Sequence, residues 1–259
     1  MAKESGSKIK NIVLLFILPV VLIGAWQIAA SLGKMNTFLI PSPRMILDNF
    51  IEITLSGRLG KNIAASLQRV VIGFIIGAVL GLIFGFVMGL SKNVNRLFTL
   101  FVSVLRPIPT IALIPVFILL LGIGEESKYA IIAIGSFWSV LLNTINGVEN
   151  ADVKLVEVAY AYRIPKIQQI FRVILPSALP SVLTGIRLGV SAAWISVIAA
   201  EMLAASRGIG YMITYARDNS QVSTMYAGVL TIGIIGLIID RTLIVLQKFY
   251  LKRSRGIGD

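Results

Sequence analysis

Val70-Val-Ile-Gly73-Phe-Ile-Ile-Gly77-Ala-Val-Leu-Gly81-Leu-Ile-Phe-Gly85-Phe-Val-Met-Gly89-Leu90 decides the fold class. The run carries no charge, and as a helix it is long enough to cross a bilayer core, which takes about 20 apolar residues. A lipid-embedded segment must satisfy its own backbone, so helix is the natural form. Gly73, Gly77, Gly81, Gly85 and Gly89 return every fourth place and form one ridge that drifts slowly round the helix. Two readings stand: a tight helix contact beside a transport path, or plain membrane packing, the commoner use of such a pattern.

Working outward, five further apolar runs reach spanning length: Asn11–Ala30, Leu97–Leu121, Tyr129–Ile145, Val182–Leu203 and Tyr226–Leu246. The expected fold is therefore all-α and integral to a membrane, with six spans. The composition agrees. Of 259 residues, 56% are hydrophobic and 14% charged, and the mean hydropathy is +0.88. Soluble domains carry roughly 25% charged residues, so an ordinary cytosolic enzyme is excluded. The chain has no Cys and no His, which removes thiolate chemistry, disulfides and imidazole catalysis. Nucleotide-binding loops of the Gly-Lys-Ser/Thr type are also missing, so ATP is not expected to bind this chain. The net charge of +12 reads as basic loops against anionic lipid rather than as a nucleic-acid surface.

Charge placement gives an orientation. With the N-terminus inside, the inner segments hold thirteen Lys and Arg and the outer segments eight, so both termini are expected in the cytoplasm. The amphipathic stretch Ile63–Arg69 extends the second span backward, with Arg69 and Lys128 counted among the outside charges; the outer loop Glu125-Glu126-Ser127-Lys128 is acidic on balance, which agrees with this orientation but counts for little. The first run is read as a retained span, because it is long and Leu32-Gly33-Lys34-Met35 is a poor cleavage site. The expected organisation is an N-terminal span with an external amphipathic loop (1–59), a transmembrane core (60–245) and a basic cytoplasmic tail (246–259).

Charges within the spans are few: Arg106, Arg187, Glu201 and the pair Asp240-Arg241. Such residues are functional candidates by default, although Arg106 and Arg187 can snorkel. Arg106-Pro107-Ile108-Pro109 interrupts the third span, which makes it a candidate for a bent segment lining a path. Arg106, Pro109, Arg187 and Glu201 are the candidate path residues. They do not form the facing carboxylate set of an ion-driven carrier.

The long inner segment Gly147–Pro180 is the place for a cytoplasmic partner. A short helix is expected from Asp152 to Arg163, capped by Asp152 or Asn150, with Leu155, Val158, Ala159 and Tyr162 on one face. Pro165 ends it, and a second helix carries Ile167, Ile170, Phe171 and Ile174. The resulting knob suits either a groove on a partner or the lipid headgroups.

Glu157-Val158-Ala159, Arg163, Val173 and Leu175-Pro176 resemble the signature of the membrane subunits of bacterial ABC importers: Glu-Ala-Ala, three residues, Gly, nine residues, Ile, one residue, Leu-Pro. Val158 replaces the pattern's Ala and Arg163 its Gly. Phe38-Leu-Ile-Pro-Ser-Pro43, Leu113-Ile-Pro-Val-Phe117 with Gly122-Ile-Gly-Glu125, and Ala200-Glu-Met202 with Gly208-Ile-Gly-Tyr211 are similar to the nitrate/sulfonate/taurine branch.

The resemblance implies a multi-pass permease of the bacterial inner membrane that pairs with a second copy. It receives substrate from an extracytoplasmic binding protein and docks on a dimeric ATPase that binds ATP and Mg. It also implies that Glu157, Ala159, Arg163, Leu175 and Pro176 belong to the ATPase-coupling loop. Alkanesulfonate is the first choice of substrate. Taurine, nitrate, bicarbonate and a thiamine-precursor pyrimidine are its rivals. An independent secondary carrier and a membrane enzyme are the rival functions. At Arg163 an ordinary negative φ is expected, with Pro165 alone making the turn; the alternative is a strained positive φ, held because the guanidinium binds an acidic group such as a carboxylate on the ATPase.

Overall fold

The computed structural model describes the backbone of residues 2–255 and the side chains of residues 17–152 and 154–251. Lys3, Lys8, Lys10, Lys252, Arg253 and Arg255, which entered the charge count, lie outside the described side chains, as does the tail end at 256–259. All the regular structure among the described residues is helical. In chain order the helices are α1 (Ala2–Ser31), α2 (Pro43–Leu55), α3 (Arg58–Leu90), α4 (Lys92–Leu105), α5 (Ile114–Leu121), α6 (Glu125–Glu149), α7 (Val153–Ala161), α8 (Lys166–Gln169), α9 (Leu175–Ala204), α10 (Ile209–Asp218) and α11 (Val222–Arg255).

Four segments are long and apolar enough to cross a membrane: Arg58–Leu90, Glu125–Glu149, Lys166–Ala204 and Val222–Leu251. The pair α4 and α5 is a fifth if taken together. Its halves meet at 86°. The break falls at Arg106–Pro109 and is followed by a tight turn, Thr110–Leu113. Proline supplies no N–H there and restricts the residue before it, so the helix cannot run on. The described apolar part of α1, Ile17–Ser31, is shorter than a span.

Two compact units divide the chain: residues up to Gly60 with Met212–Leu230, and Lys61–Tyr211 with the chain from Thr231 on. In the first, Ser42 accepts a hydrogen bond from the Met45 N–H and Pro43 opens α2, a favourable helix start. Trp26 of α1 packs on Tyr226 with ring centroids 6.4 Å apart.

In the second unit α6 is the central helix. The five glycines of α3 lie against Ile132, Ala133, Ser136, Val140, Thr144 and Val148. A Cβ at Gly73, Gly81, Gly85 or Gly89 would come within 3 Å of α6 atoms, and one at Gly77 would collide with the Ala133 carbonyl and Ser136 Oγ. A four-residue ridge thus meets a four-residue row, and bare backbone is what permits the approach. The adjoining face of α6 meets α9 in the same way: Gly147 sits against Ala178 and Ser181, and Gly185 against Asn143.

The second loop helix is not separate from the fifth span. α8, a wide turn over Ile170–Ile174 and α9 form one helical rod, Lys166–Ala204. Pro176 and Pro180 do not break it. The Leu175 N–H bonds to the Ile170 carbonyl, five residues back. This local widening, a π-bulge, absorbs the register change just before Pro176, which has no N–H to give.

Candidate functional site

The loop between α6 and α9 is built on α7. Asp152 caps it by accepting from the Lys154 N–H at 2.9 Å. At its other end the structure corrects the expectation for Arg163, whose φ is +53°. The Arg163 N–H bonds to the Tyr160 carbonyl and the Ile164 N–H to the Ala159 carbonyl, at 2.9 and 3.0 Å. These two bonds satisfy the last carbonyls of α7 and require a left-handed residue at Arg163, the Schellman arrangement. Pro165 therefore does not make the turn alone; it starts α8. Ala159 is buried, whereas Glu157, Leu175 and Pro176 are exposed. The apolar face of α7 is only partly covered. On that face Leu155, Val158 and Tyr162 are exposed, the last at 79%, and Tyr160, on the flank of the helix, is 80% exposed.

A second constellation was not assembled by sequence reasoning. Asn62, Ser66 and Arg69 lie at i, i+4 and i+7 on α3 and so share one face. Arg69 is not a loop charge; it is 2% exposed. Its guanidinium grips Glu125 through Nε and Nη2 at 2.6 and 2.7 Å, and donates through Nη1 to Glu201 at 2.7 Å and to the Arg207 carbonyl at 2.6 Å. Glu201, 1% exposed, also accepts from Ser66 Oγ and from the Gly210 N–H. The Ile209 N–H donates to Ser66 Oγ and the Gly208 N–H to Asn62 Oδ1. Lys128, likewise buried, donates to Glu125 and the Gly124 carbonyl.

This network joins α3, the start of α6, the end of α9 and the turn into α10. It also explains Gly208-Ile-Gly210. A Cβ on Gly208 would strike the Glu201 carboxylate, and its φ of +119° suits only glycine. Buried charges need this degree of pairing, since one left alone would cost several kcal/mol. The polar spacing 62, 66, 69 was the available signal. Counted with the outside charges at the edge of the second span, Arg69 gives no sign of a partner on α6 or α9.

The path candidates are not gathered at one point. Arg106 and Pro109 are exposed at the bend after α4. Arg187 and Glu201 share α9, about 21 Å apart along its axis. Glu201 belongs to the ionic network. Arg187 Nε is buried without a partner. Among the described residues no group of His, Cys, Asp and Glu could hold a metal ion.

Residues 62–256 match the family described as binding-protein-dependent transport system inner membrane component. A Bacillus subtilis protein named as an aliphatic sulfonates transport permease, SsuC, is 38% identical over 236 residues, which is 91% of this chain and 86% of that protein. The Escherichia coli taurine transport system permease TauC is 30% identical over 233 residues, 88% of this chain and 85% of that protein. Among solved structures, an inward-facing conformation of the MetNI methionine ABC transporter superposes with a TM-score of 0.65 at 18% identity. It covers 73% of this chain and 94% of that one, a likeness of fold.

Proposed function

We propose that this chain, which belongs to the family of binding-protein-dependent transport system inner membrane components, is the permease of an ATP-driven importer for a small anion, alkanesulfonate first. The observation that carries the substrate choice is the identity of 38% to the sulfonate permease SsuC against 30% to the taurine permease TauC. In this reading the chain has six spans, with α1 as the first and the bent pair α4 and α5 as the third. Both termini are cytoplasmic. Two copies form the conduit in the bacterial inner membrane. A binding protein delivers substrate from outside, and a separate ATPase dimer binds ATP and Mg.

The fold supports a mechanical account of coupling. α7 offers Leu155, Val158, Tyr160 and Tyr162 without cover, a surface suited to a groove on the ATPase. Glu157 lies beside them, exposed. The capped turn at Arg163 joins α7 to a rod of 39 residues, about 58 Å long. Near its far end the rod places Glu201 in the ionic network. A displacement of α7 therefore reaches the far end of the rod through continuous helix, while the glycine contacts make α3, α6 and α9 move together.

The test is uptake by proteoliposomes holding the permease with its ATPase and binding protein. ATP-dependent uptake of ethanesulfonate, above that of taurine, nitrate and bicarbonate, is expected. Stronger uptake of another of these probes would replace the substrate. Uptake that persists without the ATPase would replace the importer by a secondary carrier.

A further inference from the structure

We infer that Arg187 is a contact for the transported anion inside the membrane. The inference rests on the importer reading and gives its conduit a chemical element.

The depth of Arg187 follows from helix register. Gly189 packs on Val140 and Gly185 on Ser139 and Asn143, which places Arg187 level with about residue 140 of α6. The middle of α6, which runs from Glu125 to Glu149, is residue 137. Arg187 is thus about 5 Å from the middle of a helix that just spans the bilayer.

Its direction follows from its neighbours on the stripe facing α11. Thr184 accepts from Gln247 Nε2 at 3.0 Å, and the Trp194 Nε1–H donates to the Ile232 carbonyl at 3.3 Å. Arg187 lies three residues after Thr184 and seven before Trp194, on that same stripe.

A guanidinium there needs an acceptor. Arg187 is half-buried, and its Nε is sealed from solvent with no hydrogen-bond partner. It is the only charged side chain among the described residues with such an atom. Arg69 and Lys128, which are buried, are each bonded to a carboxylate. Asp240 lies on the facing side of α11, between Gly236, which packs on Trp194, and Gln247. No ion pair joins it to Arg187 among the described residues. An unpaired cation at this depth is costly in lipid and is tolerable where it meets water or an anion. A sulfonate supplies oxygens that a guanidinium binds through charge-assisted hydrogen bonds.

The chain has no cysteine, so Arg187→Cys introduces its only thiol. In the complete reconstituted complex, water-borne 2-sulfonatoethyl methanethiosulfonate should modify this variant. Saturating ethanesulfonate with binding protein and ATP should slow the reaction. In transport, Arg187→Gln should lower kcat/KM for ethanesulfonate about tenfold or more, the loss of one charged hydrogen bond, and Arg187→Lys should recover part of it.

Three results would overturn the inference. One is no modification in either the nucleotide-free or the ATP-bound complex, and another is modification indifferent to ethanesulfonate. The third is a matching loss in Asp240→Asn that the double variant Arg187→Gln/Asp240→Asn restores, which would make the two residues an internal pair. A wild-type complex that imports none of ethanesulfonate, taurine, nitrate and bicarbonate would instead defeat the importer reading itself.

Discussion

Arg163 holds a conformation that glycine adopts freely, and the two hydrogen bonds closing α7 hold it there. Left-handed backbone costs a non-glycine residue about 1–2 kcal/mol, part of which glycine's own flexibility gives back. Arg163→Gly should therefore raise the melting temperature of the purified complex slightly, by an amount equivalent to about 0.5–1 kcal/mol. Arg163→Val should lower it. A fall with Arg163→Gly would mean that the guanidinium itself stabilises the loop. Arg69 presents the opposite balance, since its charge is surrounded and each of its three guanidinium nitrogens is bonded. Arg69→Gln leaves Glu125 and Glu201 without their shared cation and should cost about 3–5 kcal/mol. Glu201→Gln keeps an acceptor for Ser66 and Gly210 and leaves Arg69 on Glu125, so it should cost less. Thermal unfolding of the two variants checks the order. Sequence revealed Arg163 as a departure from a glycine pattern but not its φ. The partners of the turn's two N–H groups, the Tyr160 and Ala159 carbonyls, decide that angle. Arg69 was hidden for another reason. A charge near a span end looks like a loop charge until Asn62 and Ser66 place it on a helix face with Glu201 across from it.

At the level of elements, glycine spacing on α3 was legible as a ridge because period four is a property of the chain alone. Its partner was not legible. Ile132, Ser136, Val140, Thr144 and Val148 also recur every fourth residue, but a row of mixed aliphatic and hydroxyl side chains carries no comparable signal in a span. Gly81→Leu should separate α3 from α6, because even a Cβ would sit 2.9 Å from Val140 Cβ. Poor assembly and earlier unfolding in detergent are expected, and a variant that assembles and melts as wild type would contradict the packing described. The rod Lys166–Ala204 reads from sequence as a loop helix and a separate span, since proline at 176 and 180 disfavours continuous helix. The widened turn at Ile170–Ile174 removes the conflict at Pro176, a solution that local propensity does not announce. α7 carries the coupling prediction. Glu157 is exposed beside the uncovered aromatic surface, so Glu157→Lys should leave the fold intact and lower ATP-driven uptake, while ATP hydrolysis loses its stimulation by liganded binding protein. Wild-type coupling in this variant would remove Glu157 from the contact.

For the whole molecule, composition and run lengths were enough to establish a helical membrane protein, because the bilayer imposes length and hydrophobicity directly on sequence. The bent segment at Arg106–Pro109 was legible for the same local reason, since proline acts on its own neighbours. The long-range ionic network was not, as residues 62–69, 125 and 201–210 meet only after α3, α6 and α9 have packed. The central claim is that this assembly moves an anion only when a separate ATPase works on it. The most direct measurement is uptake of labelled ethanesulfonate into proteoliposomes containing permease, ATPase and binding protein. Each component, and ATP itself, is withheld in turn. The account predicts accumulation against the gradient only with all three proteins and ATP present. Accumulation or equilibration of ethanesulfonate by the permease alone would contradict it.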